Sequence, residues 1–337
     1  MKAVGYHTPL PITDHDSLID LTLPPPSLRP HDLRVQVAAV SVNPVDTKVR
    51  AGAVPPAGEA RVLGWDAAGT VEAVGSAVSL FKPGDTVFYA GALDRPGTNS
   101  ELHAVDERLV GRKPASLSFA QAAALPLTAI TAWELLFERL GVPYGVKTQG
   151  GALLIINGAG GVGSILIQLA RRLTGLTVIA TASRPETIAW VEGLGAHHVI
   201  DHHQPLDEGL KAIGIPEVQY VAGLTGTDRQ LGAIVAALAP QGKLALIDDP
   251  KSLDIEPFKR KSLSVHWEMM FTRSLFQTPD MIAQHKLLTE VADLVDAGVL
   301  RTTLHDTAGA INAANLRRAH ALLESGRSIG KLVLEGF

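Results

Sequence analysis

Hydrophobic and polar positions alternate in short runs over residues 1–120. Two examples are LRVQVAAVSVN (33–43) and GTVEAVG (69–75), and stretches rich in Pro and Gly, such as KPGD (82–85), separate the runs. A two-residue period bounded by turn residues is typical of antiparallel strands joined by tight turns. The pattern therefore predicts a β-rich N-terminal domain.

From about residue 125 the pattern changes to an alternation of strands and amphipathic helices. Helix-like segments such as SILIQLARRL (164–173), with apolar residues three and four positions apart, separate runs of apolar and β-branched residues. Such alternation predicts a parallel sheet with helices on both faces. The six strand-like runs are ALLIIN (152–157), LTVIATA (176–182), HHVID (197–201), VQYVAG (218–223), KLALID (243–248) and SLSVHWE (262–268).

The C-terminal segment predicts a return to the first domain. MIAQHKLLTEVADLVDAG (281–298) has the pattern of a helix that ends at a glycine, and the residues after it predict a strand, a helix and a final strand. A chain of 337 residues exceeds the usual size of one hydrophobic core. We therefore predict an α/β protein with a β-rich domain over 1–124, a doubly wound parallel sheet over 125–298, and a return to the first domain over 299–337.

Composition narrows the functional classes. Hydrophobic residues make up 46% of the chain and charged residues 19%, with a net charge of -4, so nothing indicates a nucleic-acid partner. The chain has no cysteine, which excludes disulfides, thiolate nucleophiles and zinc sites built from cysteine. We recognise neither a secretory signal nor an apolar run of membrane-spanning length, so we expect a cytoplasmic protein with no membrane partner.

The sharpest chemical signal is the segment INGAGGVGSILIQLA (156–170). Gly158, Gly160 and Gly163 form a G-x-G-x-x-G pattern between a predicted strand and a predicted helix. Glycines let the backbone approach a pyrophosphate, and the free N–H groups at the helix start, at Gly161 and Val162, favour its negative charge. The segment therefore predicts a dinucleotide-binding loop.

The residues after the second predicted strand indicate the type of dinucleotide. An NAD site usually carries an acidic residue about 20 positions after the loop, whereas this sequence has Ser183 and Arg184, with no carboxylate before Glu186. A hydroxyl and a guanidinium suit a 2'-phosphate, so we predict NADP(H) as the cofactor. The alternative is that Arg184 is a solvated loop charge and Ser183 the N-cap of the next helix, and capping is compatible with cofactor binding.

The stretch HHVIDHH (197–203) places four histidines within seven positions. Side chains alternate faces along a strand, so these rings point apart or lie too far from one another to share a metal ion. His202, just past the strand, is instead a candidate for contact with the 2'-phosphate. The alternative for His197, His198 and His203 is a solvated or locally bonded ring.

Several longer segments resemble the medium-chain dehydrogenase/reductase superfamily, specifically its zinc-independent quinone oxidoreductase branch and the zinc-type alcohol dehydrogenase-like group. They are SVNPVDTKVRAG (41–52), LGWDAAGTVEAVGSAVSLFKPGDTV (63–87), AAALPLTAITAWELL (122–136), the glycine loop and GKLVL (330–334). The resemblance implies a GroES-like N-terminal catalytic domain, a Rossmann domain, an active site in the cleft between them, and a homodimer. It also implies hydride transfer from NADPH to a small-molecule quinone or α,β-unsaturated carbonyl.

The resemblance also bears on metals. Zinc-dependent relatives carry a cysteine ligand at the position that matches Asn43 and a histidine at the position that matches Trp65. Both ligands are replaced in this chain, so no metal site is predicted. Without a Lewis acid, alcohol oxidation loses its usual means of stabilising an alkoxide, whereas reduction of an electron-poor quinone or enone is less demanding.

The resemblance assigns site residues position by position. It implies Asn43 as the first hydrogen-bond donor, Thr128 near the nicotinamide, and Asp46 as a residue that orders the loop. Lys48 stands where these reductases commonly have a tyrosine, which puts a tyrosine acid in doubt; the alternatives are a surface position for Lys48 and core packing for Trp65. Further cofactor contacts are implied at Leu224, Thr225, Asp248, Phe271 and Lys331, and substrate contacts at Lys48, Trp65, His266 and Arg273.

Two other functions stay open at this point. One is an alcohol or aldehyde dehydrogenase that recruits zinc through His, Asp and Glu, and the other is a non-catalytic NADPH-binding sensor. Stoichiometric metal in the purified protein would favour the first of these, and tight cofactor binding without turnover would favour the second. The fold alone does not decide among them.

Overall fold

The computed structural model describes all 337 residues and divides them into two compact units. Unit 1 consists of Met1–Ile130 and Phe271–Phe337, and unit 2 consists of Thr131–Met270. Both ends of the chain therefore build unit 1, and unit 2 is inserted between them.

The chain forms sixteen strands. In chain order they are β1 (Lys2–Tyr6), β2 (Ile19–Thr22), β3 (Asp32–Ser41), β4 (Arg61–Val62), β5 (Ala67–Val74), β6 (Thr86–Tyr89), β7 (Leu102–Asp106), β8 (Val110–Arg112), β9 (Ala152–Ile156), β10 (Thr177–Thr181), β11 (His198–Ile200), β12 (Val218–Gly223), β13 (Leu238–Leu246), β14 (Ser264–Trp267), β15 (Leu304–Thr307) and β16 (Lys331–Glu335).

Ten α-helices accompany the strands. They are α1 (Pro44–Gly52), α2 (Phe119–Ala123), α3 (Pro126–Trp133), α4 (Gly161–Leu173), α5 (Pro185–Leu194), α6 (Leu206–Ala212), α7 (Thr227–Ala237), α8 (Thr272–Phe276), α9 (Ile282–Asp296) and α10 (Ala313–Glu324). A π-helical turn, Glu134–Arg139, continues directly from α3, and short 3-10 turns lie at His15–Ser17, Glu107–Leu109 and Glu256–Lys261.

Unit 1 contains two sheets. The larger one has the order β15-β16-β3-β5-β6-β8, with β7 also paired to β3, and the smaller one has the order β2-β1-β4. Strand β16 runs antiparallel to the end of β3, with Val333 opposite Ser41. This register places Lys331, the first residue of β16, beyond the end of β3, where the chain turns into α1.

Unit 2 contains one parallel sheet with the order β11-β10-β9-β12-β13-β14. Strand β9 lies inside the sheet and is buried along its whole length, as its uninterrupted apolar sequence requires. The chain winds from β9 out to β11, returns to β12 and then winds the other way to β14. In sheets of this order ligands bind beyond the carboxyl ends of the strands, where the winding reverses between β9 and β12.

The predicted α/β fold class is confirmed, because a β-rich unit and a doubly wound parallel sheet are both present. Each of the six apolar runs overlaps one strand; β10 occupies all but the first and last residue of its run at 176–182, whereas β13 begins at Leu238, before its run at 243–248. The C-terminal strand, helix and strand also form, as β15, α10 and β16.

The second domain boundary differs from the predicted position. The prediction kept residues up to 298 in the dinucleotide domain, whereas unit 2 ends at Met270 and α9 belongs to unit 1. Helix α9 packs on β8, where Arg112 bonds Asp293 at 2.6 Å and Asp296 at 3.0 Å. The amphipathic period of a helix shows that it has an apolar face, but it does not show which sheet that face covers.

One helical stretch, Phe119–Arg139, meets the length and hydropathy criteria for a membrane span, with 21 residues and a mean hydropathy of 1.2. The stretch is not one uninterrupted apolar run in the sequence, because it joins α2, α3 and the π-helical turn. However, 83% of its most apolar window is buried inside the protein. That burial is typical of a core helix.

Candidate active site

The glycine loop lies between the end of β9 and the start of α4, in the context that its sequence predicts. Asn157, the first residue after β9, has a left-handed backbone with φ of 66°, and its N–H donates to Thr181 Oγ1 at 2.9 Å. The N–H of Gly158 donates to the Thr181 carbonyl at 3.1 Å. These two bonds tie the start of the loop to the end of β10.

Close backbone approach requires glycine at position 163. A Cβ atom there would lie 2.5 Å from the carbonyl oxygen of Gly158 and 2.6 Å from that of Asn157. Both neighbours are backbone atoms, which cannot move aside as a flexible side chain would. Any larger residue would therefore push α4 away from the loop.

The loop and the start of α4 fit a pyrophosphate. Gly160 is the N-cap of α4 and has no side chain to cap the helix. The N–H groups of Gly161, Val162 and Gly163 therefore have no intrahelical acceptor and carry the positive end of the helix dipole. Such a helix start is a ready-made anion site, and no side chain obstructs it.

Ser183 and Arg184 lie at the carboxyl edge of the sheet, separated from the end of β10 by Ala182. Arg184, and not Ser183, is the N-cap residue of α5, so the alternative reading of Ser183 as the cap is wrong. Arg184 Nε lies 3.1 Å from Glu186 Oε1, and both side chains are partly exposed. Exposed pairs of this kind are weak, so a doubly charged phosphate is able to displace the carboxylate.

His202 lies just past β11 at the same edge. Its Nδ1 atom is buried without a hydrogen-bond partner, and its ring centroid is 4.5 Å from that of His203. Burial lowers the pKa of His202, and the neighbouring His203 adds to the effect. His197 is locally bonded, since its Nδ1 accepts the N–H of Val178 at 2.9 Å.

Three further predicted cofactor residues follow β12 and β13. Leu224 is buried and Thr225 is exposed at the end of β12. The Asp248 carboxylate accepts both the N–H and the Oγ1 hydrogen of Thr227, each at 2.8 Å. Because Thr227 is the first residue of α7, Asp248 fixes the start of that helix at the carboxyl end of the sheet.

Unit 1 contains four polar side chains that form a buried network, which we call the Asn43 cluster: Asn43, Asp46, Asp66 and Lys331. Each of them is at most 3% exposed. Lys331 Nζ lies 3.1 Å from Asp66 Oδ2, donates to the Val42 carbonyl at 2.8 Å, and donates to Asn43 Oδ1. Asn43 Nδ2 donates to the same Asp66 oxygen at 2.8 Å. Three distant chain segments thus meet in one network.

The two carboxylates of the cluster also bind backbone groups near helix starts. Asp46 Oδ2 accepts the N–H of Asn43 at 2.7 Å, while Asp46 Oδ1 is buried without a partner. Asp66 Oδ1 accepts the N–H of Leu127 at 2.8 Å, in the first turn of α3. Asp46 thereby orders the turn into α1, and Asp66 anchors the start of α3.

Burial shifts the protonation equilibria of the cluster. It raises the pKa of Asp46 to about 7, against the opposing effects of the Asn43 N–H and of Lys331. It also raises the pKa of Asp66 and lowers that of Lys331, and the attraction between these two charges opposes both shifts. We assign charged forms to Asp66 and Lys331, because hydrogen bonds satisfy both groups. Asp46 is the carboxyl group of the cluster whose protonation changes near neutral pH.

The other predicted residues near the cluster are engaged inside unit 1. The Thr128 hydroxyl donates to the Leu125 carbonyl at 3.1 Å. Trp65 is fully buried, and its Nε1 donates to the Ala92 carbonyl at 3.1 Å. The Trp65 ring meets Phe271 edge to face, with 6.3 Å between the ring centroids. Trp65 and Phe271 therefore have the contacts of core residues.

The remaining predicted substrate residues lie on separate elements. Lys48 is exposed on α1. Arg273, on α8, pairs with Asp280 Oδ2 through Nε at 3.1 Å and Nη2 at 2.9 Å. His266, in β14, has a buried Nε2 without a partner, and burial lowers its pKa. The structure thus brings Asn43, Asp46 and Lys331 together but does not gather the predicted substrate residues within one unit.

A zinc ion does not fit the residues around Asp66. A catalytic zinc needs three protein ligands, but Trp65 offers no lone pair, and both Asp66 oxygens are taken by hydrogen-bond donors. The Lys331 ammonium occupies the place in front of Asp66 that a cation would need. No group of three His, Asp or Glu side chains in the 337 residues is arranged to hold a metal ion.

Unit 2 contains a buried acidic pair that was not predicted from the sequence. Glu134 begins the π-helical turn and Glu268 follows β14, and both are buried. Arg139 Nε donates to Glu268 Oε2 at 2.8 Å, and Arg139 Nη2 lies 3.8 Å from Glu134 Oε2. Burial raises the pKa of Glu268, opposed by its hydrogen bond with Glu134. The available signal was a glutamate inside each of two apolar runs, AITAWELLF and SVHWEMMF.

Two family models match the chain. One describes the alcohol dehydrogenase GroES-like domain and matches residues 29–129, and the other describes zinc-binding dehydrogenases and matches residues 194–334. A zinc-type alcohol dehydrogenase-like protein of Staphylococcus aureus is 40% identical over 336 residues, or 99% of each chain. The chloroplastic NADPH-dependent alkenal/one oxidoreductase of Arabidopsis thaliana is 40% identical over 197 residues, which are 55% of this chain and 48% of that protein.

Two solved structures share the whole fold. A Rhizobium etli protein assigned to the zinc-dependent alcohol dehydrogenases is 57% identical, with a TM-score of 0.95 over 100% of this chain and 98% of that one. The quinone oxidoreductase of Escherichia coli, solved in complex with NADPH, is 26% identical, with a TM-score of 0.84 over 99% of this chain and 100% of that one.

Proposed function

We propose, from the premise that this chain belongs to the medium-chain dehydrogenase/reductase superfamily and to its quinone oxidoreductase branch, that it reduces quinones or α,β-unsaturated carbonyls with NADPH and without a metal ion. Membership of this superfamily makes the chain an oxidoreductase. The proposal adds the cofactor, the class of substrate and the absence of a metal from the reaction.

The observation that carries the proposal is the way in which the Asp66 carboxylate is occupied. Asn43, Lys331 and the N–H of Leu127 take both of its oxygens, and no ligand set for zinc surrounds it. Alcohol oxidation depends on a strong electrophile that stabilises the alkoxide. Addition of hydride to a conjugated system needs only hydrogen-bond donors for the negative charge that develops on oxygen.

The cofactor assignment is supported by the carboxyl edge of the sheet in unit 2. NADPH supplies the hydride when it is bound. The N–H groups that begin α4 bind its pyrophosphate, and Ser183, Arg184 and His202 bind the 2'-phosphate. Two relatives support NADPH as the cofactor. The Arabidopsis oxidoreductase depends on NADPH, and the Escherichia coli quinone oxidoreductase was solved in complex with it.

The substrate side is assigned to unit 1. The second hydrogen of Asn43 Nδ2 makes only a long contact, with the Ser41 carbonyl at 3.4 Å, and we assign this hydrogen to the substrate oxygen. Thr128 lies two residues into α3, next to the backbone N–H that Asp66 anchors. Reduction of an enone adds hydride to the β-carbon, and the α-carbon then takes a proton from water; Asn43 stabilises the negative charge on the oxygen of the enolate that forms between these two steps.

Turnover with a matched panel tests the proposal. Purified protein is given NADPH under anaerobic conditions with quinones, enones and saturated ketones, and nicotinamide absorbance is followed; an alcohol with NADP+ is the control. We expect oxidation of NADPH with quinones or enones only, and a kcat about 100-fold lower in Asn43→Ala, the usual effect of losing one such donor. Turnover confined to the alcohol and NADP+ would contradict the proposal.

We also propose that two copies of the chain form a homodimer through β14. This strand pairs with β13 on one side and ends the sheet on the other. Trp267 is 53% exposed and Met269 is 46% exposed beside that open edge. An unpaired strand edge with exposed apolar side chains is a template for pairing with another chain.

A further inference from the structure

The ammonium group of Lys331 is saturated. It has three hydrogens, and three acceptors surround it: the Val42 carbonyl, Asp66 Oδ2 and Asn43 Oδ1. An ammonium group has no acceptor capacity and no further hydrogen. Lys331 therefore has no donor left for a substrate or a cofactor, and any role it has in the reaction is exerted through the groups that it holds.

The two neighbours of Asn43 fix the orientation of its amide. Lys331 only donates, so the amide atom that faces it must be Oδ1; the Asp66 carboxylate only accepts, so the atom that faces it must be Nδ2. A flipped amide would lose both bonds and place like partners together inside a buried network. The two neighbours therefore determine that the amide atom with the long 3.4 Å contact to the Ser41 carbonyl is Nδ2, which is a donor.

The same ion pair reaches the start of α3. Asp66 Oδ2 is shared by Lys331 and Asn43, and its other oxygen accepts the N–H of Leu127. Thr128 is the next residue of that helix. A carboxylate accepting all these bonds needs a counter-charge in a buried site, and Lys331 provides it.

We propose that Lys331 is a positioning residue of the reductase: its ammonium group locks the Asn43 amide with Nδ2 as the donor and, through Asp66, holds the turn of α3 that carries Thr128. The inference rests on the proposed function, which assigns Asn43 and Thr128 to the reaction.

Substitution of Lys331 by methionine tests the inference, because Lys331→Met keeps the length of the side chain and removes its charge and its donors. We expect kcat to fall about 100-fold, as for loss of the Asn43 donor itself, with the KM for NADPH changed by less than about 3-fold. Lys331→Arg restores the charge in a different geometry and should recover part of that loss. A direct role in cofactor binding would instead raise the KM for NADPH.

Lys113→Met is the matched control. Lys113 is also buried in unit 1, but its Nζ donates only to the carbonyls of Pro114 and Leu117. Its loss should lower the thermal stability and leave kcat within about 2-fold of the wild type. If Lys113→Met and Lys331→Met lower kcat equally, the effect of Lys331 is merely structural and the inference is wrong.

A double variant covers the case in which Lys331→Met fails to fold because Asp66 is left as a lone buried charge. Lys331→Met with Asp66→Asn removes both charges and leaves no unpaired one. We expect this protein to fold and to keep the low kcat of the single variant, because the Asn43 amide is still free to flip. Recovery of wild-type kcat in the double variant would overturn the inference.

Hydrogen exchange at the Asn43 side-chain amide measures how firmly Lys331 holds that amide, and it requires no turnover. Followed by NMR on protein labelled in its asparagines, exchange should be slow in the wild type and at least about 10-fold faster in Lys331→Met or the double variant. Unchanged exchange would overturn the inference. If the wild type reduces no substrate, the proposed function fails, and the exchange rate still decides whether Lys331 holds the amide.

Discussion

Arg184 is the residue on which the choice of cofactor depends in this account. It lies at the carboxyl edge of the sheet, at the start of α5, and its Nε lies 3.1 Å from Glu186 Oε1. A guanidinium binds a phosphate through paired, charge-assisted hydrogen bonds, and the 2'-hydroxyl of NADH offers it no charge. The contribution of Arg184 should therefore be specific to NADPH.

We predict that Arg184→Ala raises the KM for NADPH by about 10- to 100-fold, because a charge-assisted bond contributes about 1.5–3 kcal/mol. The KM for NADH and the kcat with either cofactor should change little. Steady-state kinetics with both cofactors measures this, with Arg172→Ala, an exposed arginine at the end of α4, as the control. An equal rise of the KM for NADH and of the KM for NADPH would show that Arg184 does not bind the 2'-phosphate.

His320 makes stability depend on pH. It is fully buried in α10, and neither ring nitrogen has a hydrogen-bond partner. Burial, with a smaller effect of Arg50, lowers its pKa from 6.5 to about 3. The neutral ring is favoured in the folded state, so its contribution to stability is complete above the unfolded pKa of 6.5. That contribution is lost as the pH falls below 6.5.

We predict that His320 costs the wild type about 2 kcal/mol of unfolding free energy when the pH falls from about 6.5 to about 5. Over the same pH interval, the free energy of unfolding of His320→Leu should fall by about 2 kcal/mol less than that of the wild type. Above about pH 7.5 the difference in unfolding free energy between the two proteins should stay constant. Urea unfolding across this pH range provides the measurement. Parallel curves for the two proteins at acid pH would contradict the assignment.

The residues of the Asn43 cluster show how far sequence reasoning reaches at this scale. Asn43, Asp46 and Lys331 were identified through their resemblance to a family, as separate positions with separate roles. Their contact joins Lys331 to Asn43 across 288 positions, and no local pattern encodes such a pairing. The partners of the two Asp66 oxygens became apparent only in the structure.

At the scale of elements, the turn from β9 into α4 depends on backbone contact. We predict that Gly163→Ala lowers the stability by about 1–3 kcal/mol and weakens NADPH binding at least 10-fold, because the new Cβ would lie 2.5 Å from a carbonyl oxygen. Gly232→Ala, inside α7 with open space around the new Cβ, is the matched control and should stabilise the protein by about 0.5–1 kcal/mol. Thermal unfolding and fluorescence titration with NADPH measure both effects; unimpaired binding by Gly163→Ala would contradict the assigned loop.

The elements of unit 2 were predictable because two strong signals agree in each repeat. Apolar strands of three to nine residues and amphipathic helices alternate, and the glycine turn marks where the first repeat begins. The placement of α9 was not predictable, since its apolar face is compatible with either sheet. Only the approach of Leu288 to Gly111 in β8 determines which unit it covers.

At the scale of the whole molecule, we predict that the protein is a dimer with about twice the chain mass of 35.6 kDa and that Trp267→Lys converts it to a monomer. A lysine at the exposed edge of β14 places a charge where an apolar ring would be buried in the dimer. Light scattering after size-exclusion chromatography measures the mass. Phe276→Lys, on a residue that is 76% exposed in α8, is the control and should remain dimeric; a dimer in both variants would place the interface elsewhere.

The central claim is that donors held by a protein cation, and not a metal, support reduction of a conjugated carbonyl. The most direct measurement is the rate of NADPH-dependent reduction of a quinone or enone after exhaustive chelation, with the residual zinc determined by elemental analysis. We predict that the rate is unchanged when less than one zinc ion in about 100 chains remains, as expected when no Lewis acid takes part. A loss of activity that one equivalent of zinc restores would contradict the account.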